Sequence, residues 1–180
     1  MNVSGALQLL INLVFDVYLY LLLTRLLLQV VRADFFNPVT QFVVRATDPF
    51  NSFLRRALPP SKSWDFATII TIFVVLAVKL AVLVSLSYGH LNHAPGAWLI
   101  LFTRALASMV LDYLFWLLLV GVILSWVAPD PRQPVTRLVF QLSEPLLGPV
   151  RRLLPNLGGL DFSPMVVLFG IYFLRTLFGL

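Results

Sequence analysis

The stretch Ser143 to Pro164, S-E-P-L-L-G-P-V-R-R-L-L-P-N-L-G-G-L-D-F-S-P, is dense in proline, glycine and charge and precedes the last apolar run. A weaker form of it lies upstream, from Thr47 to Thr68: T-D-P-F-N-S-F-L-R-R-A-L-P-P-S-K-S-W-D-F-A-T. Laid together without a gap, Pro49 meets Pro145, Arg55-Arg56 meets Arg151-Arg152, Pro59 meets Pro155, and Asp65-Phe66 meets Asp161-Phe162, each pair 96 residues apart. Pro38-Val39-Thr40 meets Pro134-Val135-Thr136 at the same offset. An internal repeat of this kind fixes the architecture before any local signal is weighed.

Working outward, the composition is that of a membrane protein. The 180 residues are 59% hydrophobic and only 12% charged, with a mean hydropathy of +0.91. A soluble domain is nearer half apolar and a quarter charged. The net charge of +5 first sets orientation in a membrane protein, so nucleic acid need not be invoked as a partner. With no cysteine, disulfides, thiolate metal sites and Cys nucleophiles are excluded. The N-terminus lacks the basic n-region of a signal peptide, and its apolar run is too long for an h-region.

Four apolar runs are long enough to cross a bilayer core, which takes about 20 helical residues. The reading is therefore an all-α membrane protein with four transmembrane helices in two parallel two-span repeats. Repeat one covers residues 1–86, with spans 3–31 and 65–86 around a mixed segment 32–64. An outer loop, 87–96, leads to repeat two, residues 97–180, with spans 97–127 and 161–180 around a mixed segment 128–160. Two spans per repeat bring both repeats into the membrane from the same side, so a pseudo-twofold along the membrane normal is expected.

Nine of the 13 basic residues fall in the mixed segments: Arg32, Arg45, Arg55, Arg56, Lys62, Arg132, Arg137, Arg151 and Arg152. The positive-inside rule makes these segments cytoplasmic and puts both termini outside. Within the first, Phe42, Val43, Ala46, Phe50, Phe53, Leu54 and Ala57 recur at helical spacing with Gln41, Arg45, Asn51, Ser52 and Arg56 between them. That predicts amphipathic helix lying in the interface plane, broken once at Asp48-Pro49. Thr47 and Ser143 suit N-caps, Asp65 suits the N-cap of span two, and Ser163 caps span four with Pro164 at the first helical position. The cluster Arg55, Arg56, Glu144, Arg151, Arg152 and Asp161 is the candidate contact for anionic phospholipid head groups or a partner, at about 1 kcal/mol per basic residue near the surface.

All eight acidic residues have an acidic counterpart 96 positions away. Six lie near the cytoplasmic interface; Asp16 and Asp112 lie inside spans one and three. Lys79 and Arg175 are matched in the same way inside spans two and four. Counted from the cytoplasmic ends, Asp16 and Lys79 both sit roughly 21–23 Å deep at about 1.5 Å per residue. Asp112 and Arg175 repeat this placement. An unpartnered charge there costs at least about 2.5 kcal/mol, so each acid is expected to find a base, within its own repeat or across to the other. Consecutive helices are usually neighbours, which favours pairing within a repeat. Gln8, Asn12 and Asp16 form a polar stripe on span one, and Arg104, Ser108 and Asp112 repeat it on span three. The stripes read first as polar glue facing the protein interior, and second as a hydrated path for an ion. Ala77, Ala81, Ser85 and Gly89 form a small-residue ladder that permits close helix approach.

His90 and His93 are the only histidines. As a pair three apart they are weak metal candidates, with no carboxylate or thiol nearby to complete a site. No phosphate loop, nucleophile elbow or H-E-x-x-H motif is present, and Ser85, Ser87 and Ser125 have no placed base. Catalysis and cofactors have no support.

The residues Ser125-Trp126, Pro134, E-P-L-L-G-P-V-R-R-L-L-P (144–155) and G-G-L-D-F-S-P (158–164) resemble the YggT family of small bacterial membrane proteins, related to the YlmG group of plastids. The first copy departs from this string: Gln29-Val30 replaces Ser-Trp, Lys62-Ser63 replaces Gly-Gly, and Ala67-Thr68 replaces Ser-Pro. The second copy is then the expected carrier of a motif-borne function. The resemblance implies a multi-pass inner-membrane protein linked to osmotic tolerance and to cell organisation, with plastid relatives linked to assembly of a haem-bearing complex. The expected function is non-catalytic: organising or assembling membrane components, with a membrane-protein partner or a second copy of the chain. A small ion or osmolyte conductor, or its regulator, is the alternative. A haem-assembly factor is third, with His90 and His93 its only candidate axial ligands.

Overall fold

The computed structural model describes residues 3–57, 65–88, 94–127, 130, 132–154 and 161–180. They form six helices: α1 (Val3–Val30), α2 (Pro38–Ala57), α3 (Phe66–Tyr88), α4 (Pro95–Val127), α5 (Pro134–Leu153) and α6 (Ser163–Phe178). Three of them, over Gly5–Val30, Phe66–Ser87 and Pro95–Val127, are long and apolar enough to cross a membrane. In lipid the backbone must satisfy its own polar groups, which is why such runs become helix. The fourth apolar helix, α6, has 16 residues, about 24 Å at 1.5 Å per residue.

The helices pack as two groups of three. In the first half α1 lies against α2 and α3, and α2 against α3; in the second α4 lies against α5 and α6, and α5 against α6. The halves meet through α1, α3 and α4, and through α2 and α5. Leu19, Leu22, Leu23, Ile72, Leu76, Leu80, Met109 and Tyr113 form the main core between α1, α3 and α4. A smaller cluster of Leu28, Val43, Leu138 and Leu142 joins α1, α2 and α5. Polar ties also cross between halves: Asn37 Nδ2 donates to the Pro134 carbonyl (2.8 Å), Gln141 Nε2 to the Val31 carbonyl (3.2 Å), and the Thr24 and Tyr113 hydroxyls bond at 2.9 Å.

Helices α2 and α5 differ from expectation in one respect. Neither is broken: α2 continues through Pro49, and α5 through Pro145 and Pro149. Thr47 and Ser143 are accordingly not N-caps but interior, buried residues. Each hydroxyl back-bonds to the carbonyl four residues earlier, Thr47 to Val43 (2.7 Å) and Ser143 to Val139 (2.8 Å). Such a back-bond satisfies a hydroxyl buried inside a helix and tends to bend it, in the turn just before a proline that itself donates nothing. The protein-facing side of α2 is Thr40, Val43, Thr47 and Asn51, all buried, while Phe42, Phe50 and Phe53 are exposed.

The starts of α3 and α6 differ from each other. Asp65 caps α3, its Oδ1 accepting the Thr68 backbone N–H (3.3 Å) and its Oδ2 the Thr68 hydroxyl (2.8 Å). At α6 the expected cap moves back by two residues. Asp161 Oδ1 accepts both the backbone N–H (2.9 Å) and the hydroxyl of Ser163, which is itself the first helical residue. A carboxylate takes up more of the positive helix start than a hydroxyl does.

Candidate functional site

The four ionisable groups deep in the apolar helices come together in two pairs. Lys79 Nζ of α3 donates to Asp16 Oδ1 of α1 at 2.6 Å. Arg175 of α6 pairs with Asp112 of α4. Of the two arrangements the depths allow, the structure has the one within each half. The first pair is the more enclosed on its cationic side, Lys79 being 13% exposed against 35% for Arg175.

Each polar stripe is spent within its own half, partly on its own helix and partly on the neighbouring one. Gln8 Nε2 donates to Ser87 Oγ of α3 (3.2 Å), and Asn12 Nδ2 to its own helix at the Gln8 carbonyl (2.9 Å). Arg104 donates to the carbonyl of Gly179, just past α6, and Ser108 Oγ approaches Asp112 Oδ2 at 3.4 Å. Tyr20 of α1 reaches across to the second half. Its ring meets Tyr113 of α4 edge-on (centroids 5.6 Å), and the Tyr113 hydroxyl is 2.9 Å from Thr24 Oγ1. Of the small-residue ladder, Ala77 and Ser85 are exposed. Gly89, His90 and His93 lie outside the described residues.

A third charge cluster sits where α1, α2 and α3 converge, and its centre is a residue that sequence reasoning passed over. Arg25 of α1 is 4% exposed. Its Nη1 donates to the Val44 carbonyl (3.1 Å) and Thr47 Oγ1 (2.7 Å), its Nη2 to Asp48 Oδ1 (3.0 Å), and its Nε lies 3.5 Å from Asp65 Oδ2. Arg55 pairs with that same Asp65 oxygen. Beside this, Asn51 Oδ1 accepts from the Thr71 hydroxyl at 2.6 Å, tying α2 to α3. The missed signal was an arginine inside the apolar run L-L-L-T-R-L-L-L, a pattern that marks a paired, positioned charge. It has no basic counterpart 96 residues on, where Gly121 stands.

In the second half one arginine does the bridging. Arg151 Nη1 donates to both oxygens of Glu144 (3.2 and 3.1 Å), and its Nε and Nη2 to Asp161 Oδ2 (3.1 and 2.9 Å). Those two carboxylates hold the Arg151 guanidinium above its ordinary pKa, the Asp161 hydrogen bond contributing most. Burial alone would raise the Asp65 carboxyl, but hydrogen bonds from Arg55 and Thr68 hold it below the usual value. Asp161 is held down in the same way, against burial, by Ser163 and Arg151. Arg56 and Arg152, the other half of each arginine pair, are exposed and show no ion pair among the described residues.

Chemically, these groups tie helices together. Among the described residues no cluster of His, Asp and Glu could hold a metal ion, and the carboxylates are engaged by arginine, lysine or helix starts.

Known proteins place the chain further. The profile of the CCB3/YggT family matches it in two segments, residues 4–86 and 100–180, which begin 96 residues apart. It is 37% identical over 175 residues to an uncharacterised protein encoded beside proC in Vibrio alginolyticus, covering 97% of this chain and 94% of that one. To a protein of Pseudomonas aeruginosa it is 43% identical over 151 residues, 83% of this chain and 76% of the other. To YggT of Escherichia coli K12 it is 36% identical over 171 residues, 93% and 86% of the two chains. No solved structure matches. Extending over nearly its whole length, these matches make the chain a member of the CCB3/YggT family of membrane proteins.

Proposed function

We propose that the chain is a four-span, non-catalytic protein of the bacterial inner membrane that organises or assembles other membrane components. In this reading α1, α3, α4 and α6 cross the bilayer as two parallel repeats. Both termini lie outside, and α2 and α5 lie in the cytoplasmic interface against anionic head groups. The short α6 is compatible with crossing: Arg175 ties it to α4 at Asp112, and a local thinning of the bilayer accommodates about one missing turn. The basic residues of α2 and α5 favour the orientation.

The observation that carries the functional reading is the use made of the buried charge. Asp16, Lys79, Asp112 and Arg175 are spent on one another across adjacent helices, as structural pairs are. Meanwhile broad apolar faces, with Phe42, Phe50, Phe53 and Trp126 exposed, are left for lipid, a membrane-protein partner or a second copy of the chain. The test is affinity purification of the full chain from membranes in mild detergent, with bound proteins identified by mass spectrometry. A reproducible membrane-protein partner, or a stable oligomer, is the expected outcome. Recovery of a lipid-solvated monomer alone would count against it.

A second reading, a small conductor of ions, is favoured by one feature. Tyr20 of α1 meets Tyr113 of α4 edge-on and the Tyr113 hydroxyl lies 2.9 Å from Thr24 Oγ1, so polar side chains of both halves meet inside the bundle, where a proton would be relayed. Ion flux in proteoliposomes separates the readings, since an assembling protein yields none. A link to osmotic tolerance is tested by growth of a deletion strain at high osmolarity, with and without the wild-type chain.

A further inference from the structure

We propose that the first half carries a dedicated site for the phosphoryl head group of an anionic phospholipid, formed by Arg32, Arg55 and Thr40 with Arg25 beneath them. A cavity of about 640 Å³ opens where α1 ends against α2, lined among others by Arg25, Arg32, Phe35, Thr40, Arg55 and Asp65. Three guanidinium groups and one carboxylate line it, and a second carboxylate, Asp48, holds Arg25 from beside it. Arg25 and Arg55 both reach the same oxygen of Asp65, so three cations against two acids leave positive charge over. Arg25 is already committed to Val44, Thr47 and Asp48 and supplies field more than free donors. Arg55 keeps the rest of its fork, and Arg32 shows no ion pair among the described residues, so both have donors to give. Thr40, 3% exposed, has a hydroxyl with no hydrogen-bond partner.

Two further observations point to a ligand. Arg32 holds a left-handed backbone, φ 50°, at the end of α1. There its N–H bonds the Gln29 carbonyl and that of Ala33 the Leu28 carbonyl. This is the glycine position of a helix C-cap, and an arginine kept there in a disfavoured conformation is a feature that marks functional sites. The cavity is also flanked by exposed apolar groups, Phe35 at 61% and Phe36 at 86%, which suit acyl chains and not a soluble phosphate. Planar guanidinium forks match phosphate oxygens in pairs, which a diffuse basic surface does not. The corresponding positions of the second half do not reproduce it. Gly121 stands for Arg25 and Ala128 for Arg32, and Arg151 is taken by two carboxylates.

The site deepens, and rests on, the proposed contact of α2 and α5 with anionic lipid. The test is native mass spectrometry of the full chain in detergent, titrated with phosphatidylglycerol and with phosphatidylcholine. Arg32→Gln is expected to weaken phosphatidylglycerol binding roughly fivefold, the effect of about one basic residue at the surface. Arg55→Gln, the second variant, is expected to act in the same direction. Arg45→Gln, on the same helix but outside the cavity, is expected to change it by less than about twofold. Equal losses at Arg32 and Arg45, or none at Arg32 and Arg55, would overturn the site while leaving a general lipid contact standing. No preference for phosphatidylglycerol would overturn the lipid contact itself. Displacement of the lipid by inorganic phosphate would reassign the ligand to free phosphate and overturn the head-group identity.

Discussion

The two halves solve one electrostatic problem with different residues. In each, a carboxylate in the second helix (Asp48 of α2 or Glu144 of α5) and another just before the third (Asp65 or Asp161) need cations. The second half uses one exposed arginine, Arg151, for both. The first half divides the work. Arg55 takes Asp65 from the surface, and a buried Arg25, reaching out of α1, takes Asp48, approaches Asp65 and adds the Thr47 hydroxyl and Val44 carbonyl. The position of Arg25 in the second half is Gly121. That glycine is buried, and a Cβ there would lie 3.5 Å from Val139 and 3.7 Å from Ser143 of α5. One half is locked by a buried hydrogen-bond hub, the other by close helix packing under a solvent-exposed bridge. The first therefore depends on a single side chain for its integrity, and the second carries its charge where other molecules reach it.

The sharpest way to break this difference is Arg25→Ala. It takes a donor from the Thr47 hydroxyl and the Val44 carbonyl and the cation from Asp48, while the Thr47 hydroxyl keeps Val43 and Asp65 keeps Arg55. Removing one member of a buried charge cluster typically costs about 3–5 kcal/mol. A drop of that size in unfolding free energy, measured by denaturant titration in detergent micelles, is expected. A loss below about 1 kcal/mol, the range of an exposed pair, would show Arg25 to be no hub.

Next in size are the two deep pairs. Lys79→Met leaves Asp16 without its base, and Arg175→Met does the same to Asp112. The charge left behind sets the cost, and Asp112 is less exposed than Asp16, 28% against 36%, so the Arg175 change is expected to cost at least as much as the Lys79 change. The double change Asp16→Leu with Lys79→Met should recover much of the single loss, because a packed apolar pair replaces an ion pair at little cost. If folding recovers but complex formation does not, the pair also serves function.

Much of this was legible in the sequence because the repeat supplied internal controls. The 96-residue offset placed α2 and α5 at matching prolines, and equal depths brought Asp16 to Lys79 and Asp112 to Arg175. The same tool explains what was hidden. A search keyed to matched residues passes over Arg25, whose counterpart is glycine, and the cavity that depends on it. Pro49 read as a helix break because a lost donor and a steric clash normally end a helix. That Thr47 and Ser143 back-bond inside a continuous helix, and do not cap a new one, requires knowing that those hydroxyls are buried. Likewise Asp161, two residues before the expected cap, wins the α6 start because its carboxylate reaches two donors of Ser163.

A smaller effect separates the arginine pairs. Arg151→Gln leaves Glu144 and Asp161 both without a cation, whereas Arg55→Gln leaves Asp65 with Arg25 at 3.5 Å. The Arg151 pairs are roughly half exposed, so solvent screening limits each to about 0.2–1 kcal/mol. Arg151→Gln is expected to lower thermal stability by more than Arg55→Gln, and added salt should narrow the gap.

The smallest expected effect concerns acid. Asp65 and Asp161 both have folded-state pKa values held below the ordinary carboxylate, which is about 3.9 in an unfolded chain. A depressed folded pKa means the unfolded chain binds protons first as pH falls. The contribution is therefore fully present above about pH 4–5 and is lost as pH drops through the folded values. Thermal melts in detergent between pH 7 and pH 3 should show stability flat at first and then declining. Asp161→Asn keeps an acceptor for the Ser163 N–H but cannot titrate, so it should start lower at neutral pH and fall less steeply in acid. Asp65→Asn removes a more enclosed carboxylate, 9% exposed against 42%, and should flatten the acid limb further. An acid limb unchanged by both substitutions would mean that the two span-start carboxylates do not govern it, and that the halves differ at Arg25 and Arg151 without consequence at their acids.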